Sequence, residues 1–132
     1  MDWISRLEKL DDVIDQYIAI ANQGIENQVM PPKVLMSRVL NQIKLQNVDS
    51  YINSPFYDAF EVLPDEISNQ EQEQIREQAQ ITITNVVIPS YVKLLNFFEN
   101  SYYPNCRDTI GISDIKNGSQ YYELIARQFT TT

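Results

Sequence analysis

The chain contains no histidine, one cysteine, one tryptophan and three glycines among its 132 residues. Without histidine there is no Ser-His-Asp or Cys-His nucleophile, no HExxH helix and no imidazole ligand, so a self-contained zinc hydrolase is excluded. A single cysteine, Cys106, leaves no internal disulfide and no cysteine-built zinc site. Arg107 beside it would favour the thiolate, but with no base partner Cys106 reads as a passive, half-buried thiol. Gly24, Gly111 and Gly118 lie too far apart for a GxxxxGK[ST] or GxGxxG loop, so nucleotide chemistry has no support. No metal and no cofactor is expected.

Positive charge is also scarce. Ten basic residues face eighteen acidic ones, a net charge of −8. Such a chain repels phosphate backbones and offers no basic stripe for counterion release, which argues against nucleic acid as a partner. Solubility is the ordinary role of the excess charge. No apolar run is read as reaching the ~20 residues of a membrane span, so no span is expected. The opening MDWISRLEKLDD is charged and amphipathic, with none of the layout of a secretory leader, and the compartment stays open.

What is present is helical periodicity. Trp3, Leu7, Leu10, Ile14, Tyr17 and Ala21 recur at spacings of four and three, with Ile4 and Ile18 widening the stripe, and predict one long first helix that Gly24 weakens. Met30-Pro31-Pro32 ends it, and Pro32 is placed to open a second helix carrying Leu35, Met36, Val39, Leu40 and Ile43 to about Asn47, antiparallel to the first. From Val48 to Pro64 the period breaks into a short helical turn and loop. Tyr51, Phe56, Tyr57 and Phe60 there read as core packing rather than a ligand cage.

The third helix has the clearest start: Ser68 with Glu71 forms a capping box and Ile67 can act as a staple. Its apolar stripe runs Ile75, Ala79, Thr82, Val86, Pro89, then Leu95, Phe98 and Tyr102, so Pro89 is expected to kink a helix of about 35 residues rather than stop it. The β-branched segment from Ile81 to Ile88 could suit a strand, but charged helical sequence precedes it and a proline follows. A loop from Asn105 to Ile115 and a tight turn at Lys116-Asn117-Gly118 then lead into a fourth helix, Ser119 to Gln128. Thr130-Thr131-Thr132 read as the start of a connection. The expectation is one all-α domain over residues 1–132, an antiparallel bundle of about four helices.

Carboxylates cluster at Asp11/Asp12/Asp15, Asp65/Glu66 and Glu71/Glu73/Glu77. They sit on polar helix faces or at a helix N-terminus, where acids complement the macrodipole, and read as structural rather than catalytic. No catalytic residue is assigned.

Four segments carry a family resemblance: residues 3–43, SPFYDAFEVLP, VVIPSYVKLLNFFENSYYPNCRDTIGIS and NGSQYYELIARQFTT. The most specific positions are Tyr103-Pro104, Arg107, Thr109-Ile110-Gly111, Asn117-Gly118, Tyr122 and Thr130-Thr131, with Gly24 and Pro31-Pro32 concordant. In this order they resemble a large helical bacterial family, domain-of-unknown-function family eight-eight-five, whose members are often labelled lipoproteins. That family resembles HExxH-type zinc metallopeptidases, with metal ligands in an HExxxxHH-like stretch beyond the residues matched here, so none carries over. At Phe129 this chain also departs from a common histidine.

The resemblance implies a non-catalytic helical portion of a metallopeptidase-like protein, part of the scaffold or wall of a cleft and a fragment of a longer parent. Arg107, Tyr122 and Arg127 are the candidate cleft contacts it singles out. The alternative is a stand-alone helical interaction module. The fragment reading leaves an apolar helix face to cover, so a homodimer through the first helix, or the rest of the parent chain, is its expected partner, whereas a strictly monomeric chain would favour the module.

Overall fold

A computed structural model of the chain describes residues 2–130, with side chains described for 3–130. The described residues are all-α. Helices α1 (Asp2–Leu7), α2 (Leu10–Glu26) and α3 (Lys33–Leu45) come first, followed by a 3₁₀ turn at Tyr51–Asn53 and the single turn α4 (Asp58–Glu61). The chain then enters one continuous helix, Asn69–Asn105. It is built of α5 (Asn69–Thr82), a π segment (Ile83–Val87), α6 (Ile88–Phe97), a second π segment (Phe98–Tyr102) and the last turn α7 (Tyr103–Asn105). A 3₁₀ turn at Ile112–Asp114 precedes α8 (Gly118–Thr130).

The long helix starts where its capping box places it. The Glu71 amide donates to Ser68 Oγ at 3.4 Å, and the Ser68 amide donates back to the Glu71 carboxylate at 3.2 Å. The staple is of a different kind: Gln72, not an apolar residue, holds the entry by donating to the carbonyls of Pro64 and Ile67. Length and helicity from Ile81 to Ile88 follow the expectation. The buried stripe follows it at Ala79, Thr82 and Phe98 and departs from it between Thr82 and Phe98. It runs Ala79, Thr82, Ile83, Val87, Ser90 and Phe98, one residue later than the expected Val86 and Pro89.

The π segments account for that slip. A π turn accommodates one extra residue, so the face beyond it is displaced by one position. Each ends on an i to i−5 bond made by the residue just before a proline. The Ile88 amide donates to Ile83 O ahead of Pro89, and the Tyr103 amide donates to Phe98 O ahead of Pro104. Proline has no N–H to give and crowds the preceding turn; widening that turn relieves the crowding without ending the helix.

The first helix is not continuous. It breaks at Glu8 and Lys9, where the Lys9 amide donates to Arg6 O three residues back, and α2 restarts at Leu10. The break turns Ile4 and Leu7 into a core formed with Phe60, Ala79, Ile83 and Val87, while Ile14 is buried further along α2. Tyr17, expected in the same stripe, is left largely exposed. No glycine or proline marks this break, so the packing of α1 on α5 sets it rather than local propensity. Helix α3 packs chiefly on α6 and α7 of the long helix, as α2 packs on α6, so the long helix is the hub and the expected direct pairing of the first two helices is secondary.

By length and composition alone, Asn69–Asn105 is long and apolar enough to cross a membrane, contrary to the expectation that no segment would be. In this fold it is the helix on which α1, α2, α3 and α4 pack. The Val48 to Pro64 segment behaves as expected, with Phe60 buried and Tyr51, Phe56 and Tyr57 packed against the core. Helix α8, by contrast, packs mainly on the turn at Ile112–Asp114 and stands beside the bundle rather than within it. Thr130 closes α8, and Thr131 and Thr132 lie outside the described residues.

Candidate functional site

Arg107 sits where the two halves of the chain meet. Helix α2 ends in a Schellman motif: the Gln28 amide donates to Ile25 O and the Val29 amide to Gly24 O, with Gln28 at φ 60. Gly24 therefore belongs to the capping turn, its Cα facing the Val29 carbonyl closely enough that an added Cβ would lie 3.4 Å from it. The chain then reverses through Met30 and Pro31 into Pro32, the N-cap of α3. Here it meets the end of the long helix. The Arg107 amide donates to Pro31 O at 3.2 Å, and the Lys33 amide donates to Arg107 O at 2.8 Å, a two-residue parallel bridge.

The guanidinium completes the junction. Its Nε donates to Met30 O at 3.0 Å, and one terminal nitrogen donates to Thr109 O and Gly111 O, each at 2.7 Å. Planar, permanently charged and multiply donating, arginine is suited to gather several carbonyls at once. This commitment leaves Arg107 a structural clamp. Beside it lies a recess of about 160 Å³, lined by Ile25, Gln28, Met30, Asn105, Arg107, Asp114 and Ile115.

The other two candidate cleft contacts are elsewhere. Tyr122 and Arg127 lie on α8 and line neither this recess nor each other's helix face. Arg127 donates to Glu123 at 2.6 Å across one helical turn, an exposed pair of small energetic weight. Tyr122 is exposed, along with Tyr121, Leu124 and Phe129, the last at 80%. The three residues singled out from the sequence therefore do not form one site.

What α8 does form is an amphipathic helix with much of its apolar side in water: Ile125 and Ala126 are half-buried, while Tyr121, Tyr122, Leu124 and Phe129 are exposed. Its position is fixed by Gly118, where an added Cβ would fall 1.9 Å from the Ile112 carbonyl oxygen, so only glycine lets the helix start against that turn. Asn117 before it takes φ 59, a conformation asparagine tolerates better than most residues. The tight turn at Asn117-Gly118 was readable in the sequence; the isolation of the helix was not.

Two further features frame the surface. An apolar groove of about 350 Å³ runs between α2, α3 and the long helix, with Tyr17, Ala21, Met36, Val39, Leu94 and Tyr102 among its walls. On the opposite flank of α2, Lys93 bridges Asp11 at 2.6 Å and Asp15 at 2.5 Å, and the buried Ser90 donates to Asp11 at 2.9 Å. The Lys93 and Ser90 hydrogen bonds hold the Asp11 carboxyl below its usual range, and the two aspartates hold Lys93 above its own. This network ties α2 to α6. It is a structural use of the Asp11/Asp15 cluster, and Glu71 is likewise absorbed by its cap.

Cys106 is buried, donates to Tyr102 O at 3.4 Å, and burial pushes its thiol pKa up, which makes it a poor nucleophile. Among the described residues, no group of three or more His, Cys, Asp or Glu is placed to hold a metal ion.

Among curated proteins and solved structures, no significant match to this chain is found. A family model does match, described as bacterial protein of unknown function (DUF885), and it covers residues 1–132. Its positions thus include the Arg107 junction, the Asn117-Gly118 turn and α8 together, and the chain belongs to this bacterial family of unknown function.

Proposed function

We propose that this chain serves as the non-catalytic helical scaffold of a metallopeptidase-like protein and forms part of the wall of its cleft. The observation that carries the reading is the apolar side of α8. Tyr121, Tyr122, Leu124 and Phe129 are all exposed on a helix anchored at one end by Gly118. A helix with such a stripe is normally stabilised by packing it against another element. Burying the stripe would contribute roughly 25 cal/mol for each Å² of apolar area covered, before the cost of association. The Arg107 clamp ties the chain down as far as Gly111, and the turn at Ile112–Asp114 is what α8 packs on, which supports a surface presented beside the bundle.

The test uses a separately expressed segment of a family member that carries the HExxxxHH-like stretch. Mixed with this chain, it is expected to co-elute as a one-to-one complex, with peptidase activity and zinc confined to the added segment. Leu124→Glu with Phe129→Glu should abolish co-elution and leave the melting temperature of this chain within a few degrees, since neither side chain is buried. Absence of a complex at about 100 μM, weaker than any useful scaffold contact, would overturn the reading. So would peptide hydrolysis by this chain alone. If the wild-type chain is also strictly monomeric on its own at that concentration, the interaction-module alternative replaces it.

A further inference from the structure

A second surface, which shares no lining residue with the recess at the Arg107 junction and is independent of the reading above, has a more specific chemistry. A recess of about 470 Å³ opens between α1, α3 and the long helix, lined by Trp3, Val39, Gln42, Ile43, Gln46, Pro55, Phe56 and Tyr91. Three of these are aromatic and continuous. The Trp3 and Phe56 rings stack with centroids 6.4 Å apart and planes at 26°, and Phe56 meets Tyr91 at 5.8 Å. Phe56 and Tyr91 also pack against the core, so the platform is fixed from below.

The polar side is equally particular. Among the described residues, no charged one lines the recess, in a chain where charges are one residue in five. Its amide side chains are Gln42 on α3 and Gln46 at the C-cap of that helix, one turn apart, about 6 Å along the axis. Neither side-chain amide makes a hydrogen bond among the described residues, and each offers two donors and one acceptor. The Trp3 indole contributes a further N–H donor.

We infer that this recess binds a neutral pyranose sugar. A pyranose ring presents C–H groups on its faces, which pack on aromatic rings, and hydroxyls around its rim, which both donate and accept. The recess supplies a face for the first and paired amides for the second, in the usual division of a small-molecule site between apolar walls and a few polar groups. A charged ligand would lose hydration there without meeting a counter-charge. Gln42 and Gln46 span about the width of one ring.

Trp3 is the only tryptophan in the chain, so its emission reports the site directly. Cellobiose, maltose and N,N′-diacetylchitobiose are titrated separately to about 20 mM, a range that captures weak, millimolar binding. At least one is expected to give a saturable change in Trp3 emission. The double variant Gln42→Ala, Gln46→Ala, which removes one exposed and one half-buried amide and leaves the fluorophore in place, should weaken that sugar about tenfold. A chain that shows no saturable change with any of the three sugars overturns the assignment. Unchanged affinity in the double variant overturns it as well, and so does a stronger response to a proline-rich peptide, which would mark the aromatic platform as a polyproline groove.

Discussion

At the scale of single residues, two positions make opposite use of glycine. Gly118 is where glycine is required, because a Cβ would collide with the Ile112 carbonyl. Gln28 is where glycine is wanted and absent: it holds the left-handed position of the α2 cap at φ 60 with a side chain attached. A left-handed conformation costs a residue with a Cβ about 1 kcal/mol. Gln28→Gly is therefore expected to stabilise the fold by up to about 1 kcal/mol, less what glycine loses in the unfolded chain. Urea denaturation with an unchanged slope would measure it, and a destabilised variant would show that the Gln28 side chain holds the adjacent recess together. The sequence marks Gly118 plainly, since Asn-Gly between polar residues is a turn signal. It does not mark Gln28, because the need for a left-handed residue arises only once Gly24 and Val29 are known to face each other.

The long helix shows at the scale of elements both how far periodicity can be read and where it stops. Its start at Ser68, its passage through Pro89 and its length were legible, because capping chemistry and apolar spacing are local. The buried face between Thr82 and Phe98 was not, because an even period carries no notice of an inserted residue, and the stripe slid from Val86 and Pro89 to Val87 and Ser90. With hindsight the two prolines were the available signal, each standing just after a π segment. Ile83 and Val87 are fully enclosed, so their packing, as well as Pro89, holds the wide turn in place. Pro89→Ala is accordingly expected to keep the fold, with a stability change within about 1 kcal/mol, because Pro89 is exposed and its loss opens no cavity. Far-ultraviolet circular dichroism and a thermal melt decide it. Loss of cooperative melting would mean that the proline alone imposes the π turn. The break between α1 and α2 had no such signal at all, since Glu8 and Lys9 are good helix formers, and only the pull of Ile4 and Leu7 into the core explains it.

Over the whole molecule, the helices are joined by two kinds of tie with different sensitivities. Asp11, Asp15, Lys93 and Ser90 hold α2 to α6 by charge. Asp11 titrates below its usual 3.8 in the fold, so its contribution is present above that value and fades as pH falls through the lower folded value. Lys93 titrates above its usual 10.5, so its share is complete below that value and fades as pH rises through the higher folded value. Asp11→Asn should therefore flatten the acid side of a plot of melting temperature against pH near and below pH 4, and narrow the gap between low and high salt. An acid limb identical to that of the wild type would assign acid sensitivity to other carboxylates. Of the candidate site, the Arg107 and Gly118 positions were legible as unusual residues, but their roles depended on which distant carbonyls they meet, and Met30 lies 77 residues from Arg107 along the chain.

The Arg107 clamp is the second tie, and its acceptors are carbonyl oxygens of Met30, Thr109 and Gly111, none of which titrates. Together with the paired amides of Lys33 and Arg107, it sews residue 31 to residue 107 and closes everything between them into a ring without a covalent bond. A polypeptide closed in this way can be opened elsewhere. The exposed stretch from Val62 to Glu66, between α4 and the long helix, is the natural place for a protease to cut. After such a cut the two pieces still share the Arg107 seam and the packing of α1 on α5, so they should travel as one particle on a sizing column and separate only in denaturant. The clamp thus makes the chain a split protein in waiting, able to survive a backbone break that an open string of helices would not.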